Sequence, residues 1–424
     1  MDKKTAILLI TMLFAISINA QDNKQLQDTF LEAEYFFMNE DYTEAINYYL
    51  QIYAERNDNA NIAFSIGVCY LNIPGKKDLA VKYLEEAVKN MSAKHKEGTL
   101  NQTAAPYDAL YELAKAYRIN YNFEKAKENL LKYKTTLLPD DVENIDFIDH
   151  EIKVCDMAKA LIEKPVTFTL ENMGELFNDD KSNFNPVISA DGKSFVFMSS
   201  LKFYDAIFFS RLQNNKWSGP VNIYPEFQLD GDVVISSLSK DGKSLFLSRD
   251  NNNNSDIYTV TYNGTNWSPA VKLNRNINTR YWETHGAVSE DGNQLVFASD
   301  RPGGFGGLDL YVSRKVNGEW GPAVNMGPEI NTRYNEDRPF LANNDRTLFF
   351  SSQGHENMGG YDLFRSEKLT TGSWKKPENM GYPLNTPDDN TYFMPYGDGK
   401  SGYIYLDRES EGFGREDLYR IILK

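Results

Sequence analysis

The spacing of apolar residues changes once along the chain, from a helical period to a strand period. From Leu26 to Glu163 the apolar positions recur about every 3.6 residues, whereas after Pro165 they alternate in short segments. The second part repeats one pattern five times, at intervals of about fifty residues. Each repeat has two apolar segments around a tight turn, and the turns are Asp191-Gly192, Asp241-Gly242, Asp291-Gly292, Asn344-Asp345 and Asp398-Gly399. A period of roughly 40 to 50 residues built from short strands predicts a β-propeller with one blade per repeat.

The fifth repeat lacks its last strand. It stops at Leu418–Ile421, without the Trp and the Asn-Met-Gly segment that end the fuller repeats. The missing segment occurs at the start of this region, where Glu171–Gly174 matches Glu378–Gly381. We therefore predict five blades, with the N-terminal strand completing the last blade and closing the ring.

The helical period predicts an α-solenoid over residues 21–164. The strand period predicts the propeller over residues 165–424. Small residues recur twelve or thirteen positions apart, at Ala33 and Ala45, Gly67 and Ala80, and Ala114 and Ala126. This spacing resembles that of tetratricopeptide (TPR) helix pairs. A polar insertion, Ser92–Pro106, separates two pairs, and a last helix over about Asp141–Glu163 ends before Pro165. Such a solenoid offers a groove for an extended peptide, or for packing against the propeller or a second copy.

The first twenty residues have the pattern of a secretory signal peptide. Lys3 and Lys4 precede an apolar run from Ala6 to Ile18, and Ala20 is a suitable cleavage position. Their removal changes the net charge from −15 to −16. This acidic chain lacks a basic stripe, so nucleic acid is not expected as a ligand, and membrane insertion is not expected either.

The two cysteines of the chain, Cys69 and Cys155, fall in predicted helices. In an exported protein they could form a disulfide. Burial as free thiols is the preferred interpretation, because Cys is among the most buried residue types.

Strand direction sorts the predicted propeller loops into two faces. The Asp-Gly and Asn-Gly turns share one face, and the long loops after the second strands share the other face with the links between blades. We call the second one the loop face, and predict that it binds a protein partner because it mixes charged and aromatic side chains. The candidate partner-binding residues are Trp282, Glu283, Arg301, Phe305, Arg333, Tyr334, Glu336, Arg338, His355 and Phe413.

A purely structural role is the alternative for this set. The Arg and Glu side chains could bridge adjacent blades, and the glycines could serve only to allow tight loops. Asp250, Asn252, Asn254 and Asp256 alternate as in a calcium loop but lack the Gly and distal Glu of an EF-hand, so a solvated loop is favoured. We predict no catalytic residues, metal or cofactor, because the four histidines lack metal-ligand spacing and no nucleophile elbow or phosphate loop is present.

The motif order resembles a family of Bacteroidetes envelope proteins with TPR helices and a WD40-like propeller. The motifs are Ser289–Asn293, Gly306–Tyr311, Gly318–Trp320 and Asn325–Thr332. The family includes the peptidoglycan-associated lipoprotein of type IX secretion and gliding, whose OmpA-like domain and lipid-bearing Cys have no counterpart in this sequence. The resemblance implies a periplasmic scaffold, peripherally associated with the outer membrane, that binds an outer-membrane barrel or a secretion or gliding component. Direct peptidoglycan binding is not expected.

Two other functions remain open from the sequence. A propeller that binds a glycan or peptide is the main alternative, and a hydrolase is a distant one. An extracellular location is the alternative to the periplasm.

Overall fold

The computed structural model describes residues 23–251, 254–407 and 412–424. The predicted signal peptide and Asn252 of the calcium-like loop lie outside these residues. Two compact units are present, one extending to Asp156 and the other covering Met157–Lys424. Within the described residues, no helix is both long and apolar enough to cross a membrane.

Residues 23–162 are largely helical, and neighbouring helices in this region pack against one another. They are α1 (23–38), α2 (Tyr42–Glu55), α3 (Ala60–Asn72), α4 (Ala80–Ala87), α5 (Ala109–Ile119), α6 (Phe123–Lys134) and α7 (Val142–Ile162). Small residues allow close helix contact, as at Gly67, where a Cβ atom would collide with the side chain of Leu84. Ala33, Ala45, Ala114 and Ala126 are all buried. Helices are thus present where the period predicted them, whereas the TPR assignment itself stays a prediction.

The polar insertion folds back onto the helices. Leu100 is buried in the same apolar cluster as Phe30 and Ile62, so it packs with α1 and α3. The carbonyl of Thr103 accepts a hydrogen bond from the Asn61 backbone N–H at 3.3 Å. Nε2 of His95 lies 2.6 Å from Oδ1 of Asn61. The insertion therefore covers part of the α3 surface.

Both cysteines are free and buried, in two different apolar clusters. Burial raises the pKa of Cys69 to about 12 and that of Cys155 to about 11. Because the thiolate is the reactive form, we expect neither thiol to react with Ellman's reagent at pH 8 in the native protein. Both should react at once in about 6 M guanidinium, because this concentration unfolds even very stable proteins and so exposes both thiols. Rapid reaction of either thiol before unfolding would contradict this burial.

The second unit is a propeller of five antiparallel sheets, numbered here as blades 1 to 5 and given from the innermost strand outward. Blade 1 is β2 (Asn183–Ile188), β3 (Ser194–Ser200), β4 (Asp205–Gln213), then β5 (Lys216–Trp217) and β6 (Val221–Asn222). Blade 2 is β7 (Asp232–Leu238), β8 (Ser244–Asp250), β9 (Ser255–Thr261) and β10 (Val271–Lys272). Blade 3 is β11 (Glu283–Val288), β12 (Gln294–Ser299), β13 (Asp309–Val316), then β14 (Glu319–Trp320) and β15 (Val324–Asn325). Blade 4 is β16 (Glu336–Ala342), β17 (Thr347–Ser352), β18 (Asp362–Glu367) and β19 (Glu378–Asn379).

Blade 5 confirms the predicted closure. Its strands are β20 (Met394–Tyr396), β21 (Ser401–Asp407), β22 (Glu416–Leu423) and, on the outside, β1 (Phe168–Asn172) from the start of the unit. Strand β1 pairs antiparallel with β22, from Phe168 opposite Leu423 to Asn172 opposite Tyr419. The outermost strands of blades 2 and 4 are only two residues long, which leaves little unpaired edge for association with other sheets.

In four of the segments that link one blade to the next, an asparagine side chain forms hydrogen bonds with the preceding blade. The side chain of Asn331 accepts a hydrogen bond from the Leu310 N–H at 2.8 Å and donates to the Leu310 carbonyl at 2.9 Å. It thereby continues the sheet as a strand backbone would. The same arrangement recurs at Asn178, Asn278 and Asn385. This explains the repeated Asn of the Asn-Thr pairs and fixes where the loops of the loop face begin.

Candidate functional site

The long loops and the links do lie together on one face, as the strand order predicts. A Cβ atom on Gly306 would collide with the backbone of Arg333 and Tyr334 in the following link. Gly359 and Gly414 have the same relation to the links at Thr386–Asp388 and Asp179–Lys181. Each of these loops therefore rests directly on the next link, and only glycine allows that approach.

A buried aspartate holds each of these loops in shape. The Asp309 carboxylate accepts hydrogen bonds from the Phe305 N–H at 2.6 Å and the Gly306 N–H at 3.2 Å. The Asp417 carboxylate does the same for the N–H groups of Phe413 and Gly414, at 2.8 and 3.3 Å. Backbone donors on an ionised acceptor make strong hydrogen bonds. The aspartate of the recurring Asp-Leu-Tyr motif thus holds the end of each loop next to the strand that follows it.

Two of these loops present an aromatic side chain to solvent. Phe305 of blade 3 is 49% exposed and Phe413 of blade 5 is 43% exposed. Met358 has the equivalent position in blade 4 and is fully buried. Phe203, in the corresponding loop of blade 1, is 86% exposed and is not among the predicted residues. The exposed phenylalanines belong to blades 1, 3 and 5, and blades 5 and 1 are neighbours in the closed ring.

Two of the predicted residues, Glu283 and Glu336, are fully buried. Glu336 accepts hydrogen bonds from the Thr332 N–H and hydroxyl, each at 2.7 Å. Glu283 accepts the same pair from Thr279, at 2.6 and 2.7 Å. Their carboxylates hold the link before each inner strand, so we assign them a structural role.

Arg301 and His355 also make contacts inside the propeller. The Arg301 guanidinium donates to the carbonyl of Ile277 at 2.6 Å and to Glu283 at 3.1 Å, and it covers the ring of Phe297. Nε2 of His355 lies 2.8 Å from the carbonyl oxygen of Ile330. Burial lowers the pKa of His355, which favours the neutral ring. Both side chains connect a loop to the link beside it.

The other predicted residues lie nearer the surface. Arg333 is exposed and lies over the Tyr334 ring, with 5.5 Å from its guanidinium carbon to the ring centre. Trp282 and Tyr334 are half-buried. The accessible part of the predicted surface therefore contains Phe305, Arg333 and Phe413, flanked by Trp282 and Tyr334.

Arg338 belongs to a group of polar side chains on the propeller axis. The sequence pattern alone does not show these side chains as a group. Its guanidinium donates to Oδ1 of Asn185 in blade 1 at 3.3 Å. Nearby, Nδ1 of His285 lies 2.8 Å from Oδ1 of Asp337. Burial raises the pKa of Asp337, but His285 and Arg338 outweigh this effect and hold it below its usual value. These side chains join inner strands of different blades.

This axial group follows from irregular inner strands. Asn185, His285 and Arg338 each have φ between +46° and +48°. Each lies two residues after the residue that starts its inner strand, at a shift in strand register. When the repeats are aligned on Asn183, Glu283 and Glu336, the three residues with positive φ fall at one position of the alignment. This shared position is the sequence signal for the axial group.

The described residues contain no cluster of His, Cys, Asp and Glu side chains that could hold a metal ion. Asp256 of the calcium-like loop pairs instead with the Lys272 ammonium at 2.6 Å. Asp256 is buried, which differs from the solvated loop that the sequence interpretation favoured.

No family model matches the chain, and no curated protein matches it. Similar solved structures include TolB from Acinetobacter baumannii, with 17% identity and a TM-score of 0.37 over 57% of this chain and 54% of that one. A putative TolB from Agrobacterium tumefaciens has 16% identity and a TM-score of 0.36 over 56% and 73% of the two chains. An alpha-L-arabinofuranosidase from Lactobacillus brevis has 13% identity and a TM-score of 0.41 over 62% and 93%. The match thus spans about half of the Acinetobacter protein. At these identities, the likeness is one of fold alone.

Proposed function

We propose that this protein is a non-enzymatic scaffold of the bacterial cell envelope that binds a protein partner through the loop face of its propeller. The observation that supports this most directly is the pair of exposed phenylalanines, Phe305 and Phe413, on loops fixed by Asp309 and Asp417. Rigid aromatic side chains lose little conformational entropy on binding and are typical anchors of protein interfaces. Arg333 adds an exposed cation beside Phe305's loop.

The helical unit is the weaker candidate for the main partner-binding surface. Its insertion already packs on α3 through Leu100 and Thr103, so a peptide would have to displace it to reach that surface. We therefore assign the main interface to the propeller. The envelope location, and a partner that is an outer-membrane barrel or a secretion or gliding component, rest on the signal-peptide pattern and the motif resemblance.

The test is cross-linking and co-purification of the full chain from native membranes, followed by titration with the purified partner. We expect Phe305→Ala with Phe413→Ala to weaken binding by at least about 100-fold, since truncating an interface anchor commonly costs about 2 kcal/mol or more for each residue. Val271→Ala, which removes a 60% exposed side chain from the blade 2 edge, should bind normally. Both variants should unfold at the wild-type temperature.

Either of two results would overturn this proposal. One is unchanged affinity in the double variant. The other is recovery of cytoplasmic proteins alone, without any envelope protein that binds the purified chain.

A further inference from the structure

A cavity of about 230 Å3 opens between blades 3 and 4, away from the loop face. Trp374 of blade 4 forms one wall. The apolar remainder is Val296, Val312, Met326 and Leu341. Four charged residues, Arg314, Glu329, Asp345 and Lys368, also line it. None of these residues belongs to the surface assigned above.

The cavity exists because blade 3 lacks a large side chain that the other blades have. Val296 of β12 lies opposite Val312 of β13. At the equivalent strand pair, every other blade contributes an aromatic side chain toward the next blade: Phe209, Phe246, Phe349 and Tyr403. Two valines cannot fill the space that one aromatic ring fills elsewhere.

We call the contact between two neighbouring blades a seam. In the seams between blades 1 and 2 and between blades 2 and 3, contacts between aromatic rings show how the equivalent space is filled. Phe209 of blade 1 packs edge-on against Trp267 of blade 2, with 5.2 Å between ring centres. Phe246 of blade 2 packs against Trp320 of blade 3 at 6.4 Å. In the seam between blades 3 and 4, Trp374 faces the cavity, and the Lys368 ammonium lies 5.4 Å from its ring centre.

The lining defines the chemistry of a ligand. An aromatic wall with an aliphatic floor suits the C–H face of a saturated ring, whereas the charged side chains suit hydroxyl groups, which both donate and accept hydrogen bonds. Two cations and two anions leave the lining with no net formal charge, which favours a neutral ligand. The volume is below the roughly 300–1,000 Å3 of pockets for drug-sized ligands, so it fits a single ring.

We propose that the cavity between blades 3 and 4 binds one neutral pyranose ring, as a monosaccharide or as the terminal unit of a glycan. Trp374 stacks on the ring, and Arg314, Asp345 and Lys368 bind its hydroxyl groups. This site is independent of the proposed scaffold interface, because the two surfaces share no residue.

The test measures binding of glucose, galactose, mannose and N-acetylglucosamine separately to the full chain, by saturation-transfer NMR and calorimetry. We expect saturable binding of at least one sugar with a dissociation constant on the order of 1 mM, as for a small ligand with few contacts. Val296→Phe places in blade 3 the residue type found at Phe246, so it should weaken binding at least about tenfold and raise the unfolding temperature by filling the cavity. Val316→Phe adds the same ring at a position 61% exposed and should change neither property.

A second variant covers the case in which Val296→Phe is overpacked. Trp374→Leu keeps an apolar wall but removes the aromatic face, and it should also weaken sugar binding at least about tenfold. The proposal is overturned if no sugar binds saturably, or if binding persists in both variants. It is also overturned if N-acetylphenylalanine amide binds in a manner sensitive to Val296→Phe while the sugars do not, because the cavity would then be a pocket for a peptide side chain.

Discussion

Replacing Asn178 by alanine is expected to lower the free energy of unfolding of the propeller by about 3 kcal/mol or more. The Asn178 side chain is buried and makes three hydrogen bonds, two with the Leu418 backbone and one with Asn172. Alanine leaves the Leu418 N–H and carbonyl without these partners, and each buried unpaired group costs about 1–3 kcal/mol. Urea unfolding followed by tryptophan fluorescence reports on the propeller, since all five tryptophans belong to this unit.

Asn331→Ala is the matched control for this substitution. Asn331 makes the same contacts with Leu310 and Asn325, both in blade 3, which does not contain the closing strand. Both variants should lose similar stability, but only Asn178→Ala should speed amide hydrogen exchange in β1 and β22. A loss below about 0.5 kcal/mol, which is the range of ordinary surface substitutions, would show that Asn178 does not hold the closing strand.

Replacing Glu336 by glutamine is expected to stabilise the protein at pH 8 and not at pH 5. Burial raises the pKa of Glu336 to about 7, more than the hydrogen bonds from Thr332 and Ser352 lower it. In the unfolded chain a Glu carboxyl titrates near 4.3, so the folded state binds this proton more tightly. Stability therefore falls as pH rises from about 4.3 to about 7, by about 4 kcal/mol in all, and stays low above that range. Glutamine stands in for the protonated acid and removes this loss.

Glu283→Gln provides the contrast. Glu283 is equally buried, but its carboxylate is 3.1 Å from the Arg301 guanidinium. Glutamine would leave that cation without its partner, so this variant should be less stable than wild type at both pH values. Urea unfolding at pH 5 and pH 8 measures both variants. A parallel pH dependence of wild type and Glu336→Gln would refute the assignment of the titration to Glu336.

The number of blades and the closure of the ring could be predicted because both depend on short sequence patterns. The alternation of apolar residues specifies strands, and the Asn-Met-Gly segment at 172–174 has no other place to pair than the incomplete fifth repeat. Strand direction then assigned the long loops to one face, which the contacts of Gly306 and Gly414 confirm.

The individual site residues were harder to predict because burial depends on packing. Glu283 and Glu336 resemble surface charges in the sequence, and only the Thr four residues before each indicates a buried acceptor. The axial group depends on register shifts inside β2, β11 and β16, which no alternation pattern contains. The insertion Ser92–Pro106 is mostly polar, yet its Leu100 packs against α1 and α3 and its Ala105 is also buried.

Ring closure by β1 also constrains how this protein can be made. The hydrogen bonds between Asn178 and Leu418 join residues 240 positions apart. The first propeller strand can therefore pair only after the residues of blades 1 to 4 and of β22 have been synthesised. A chain cut short within β22 would leave β1 unpaired and the edge of β21 open, both in blade 5, and open strand edges are sites of aggregation. The stability of blade 5 thus depends on the first and the last strand of the propeller alike.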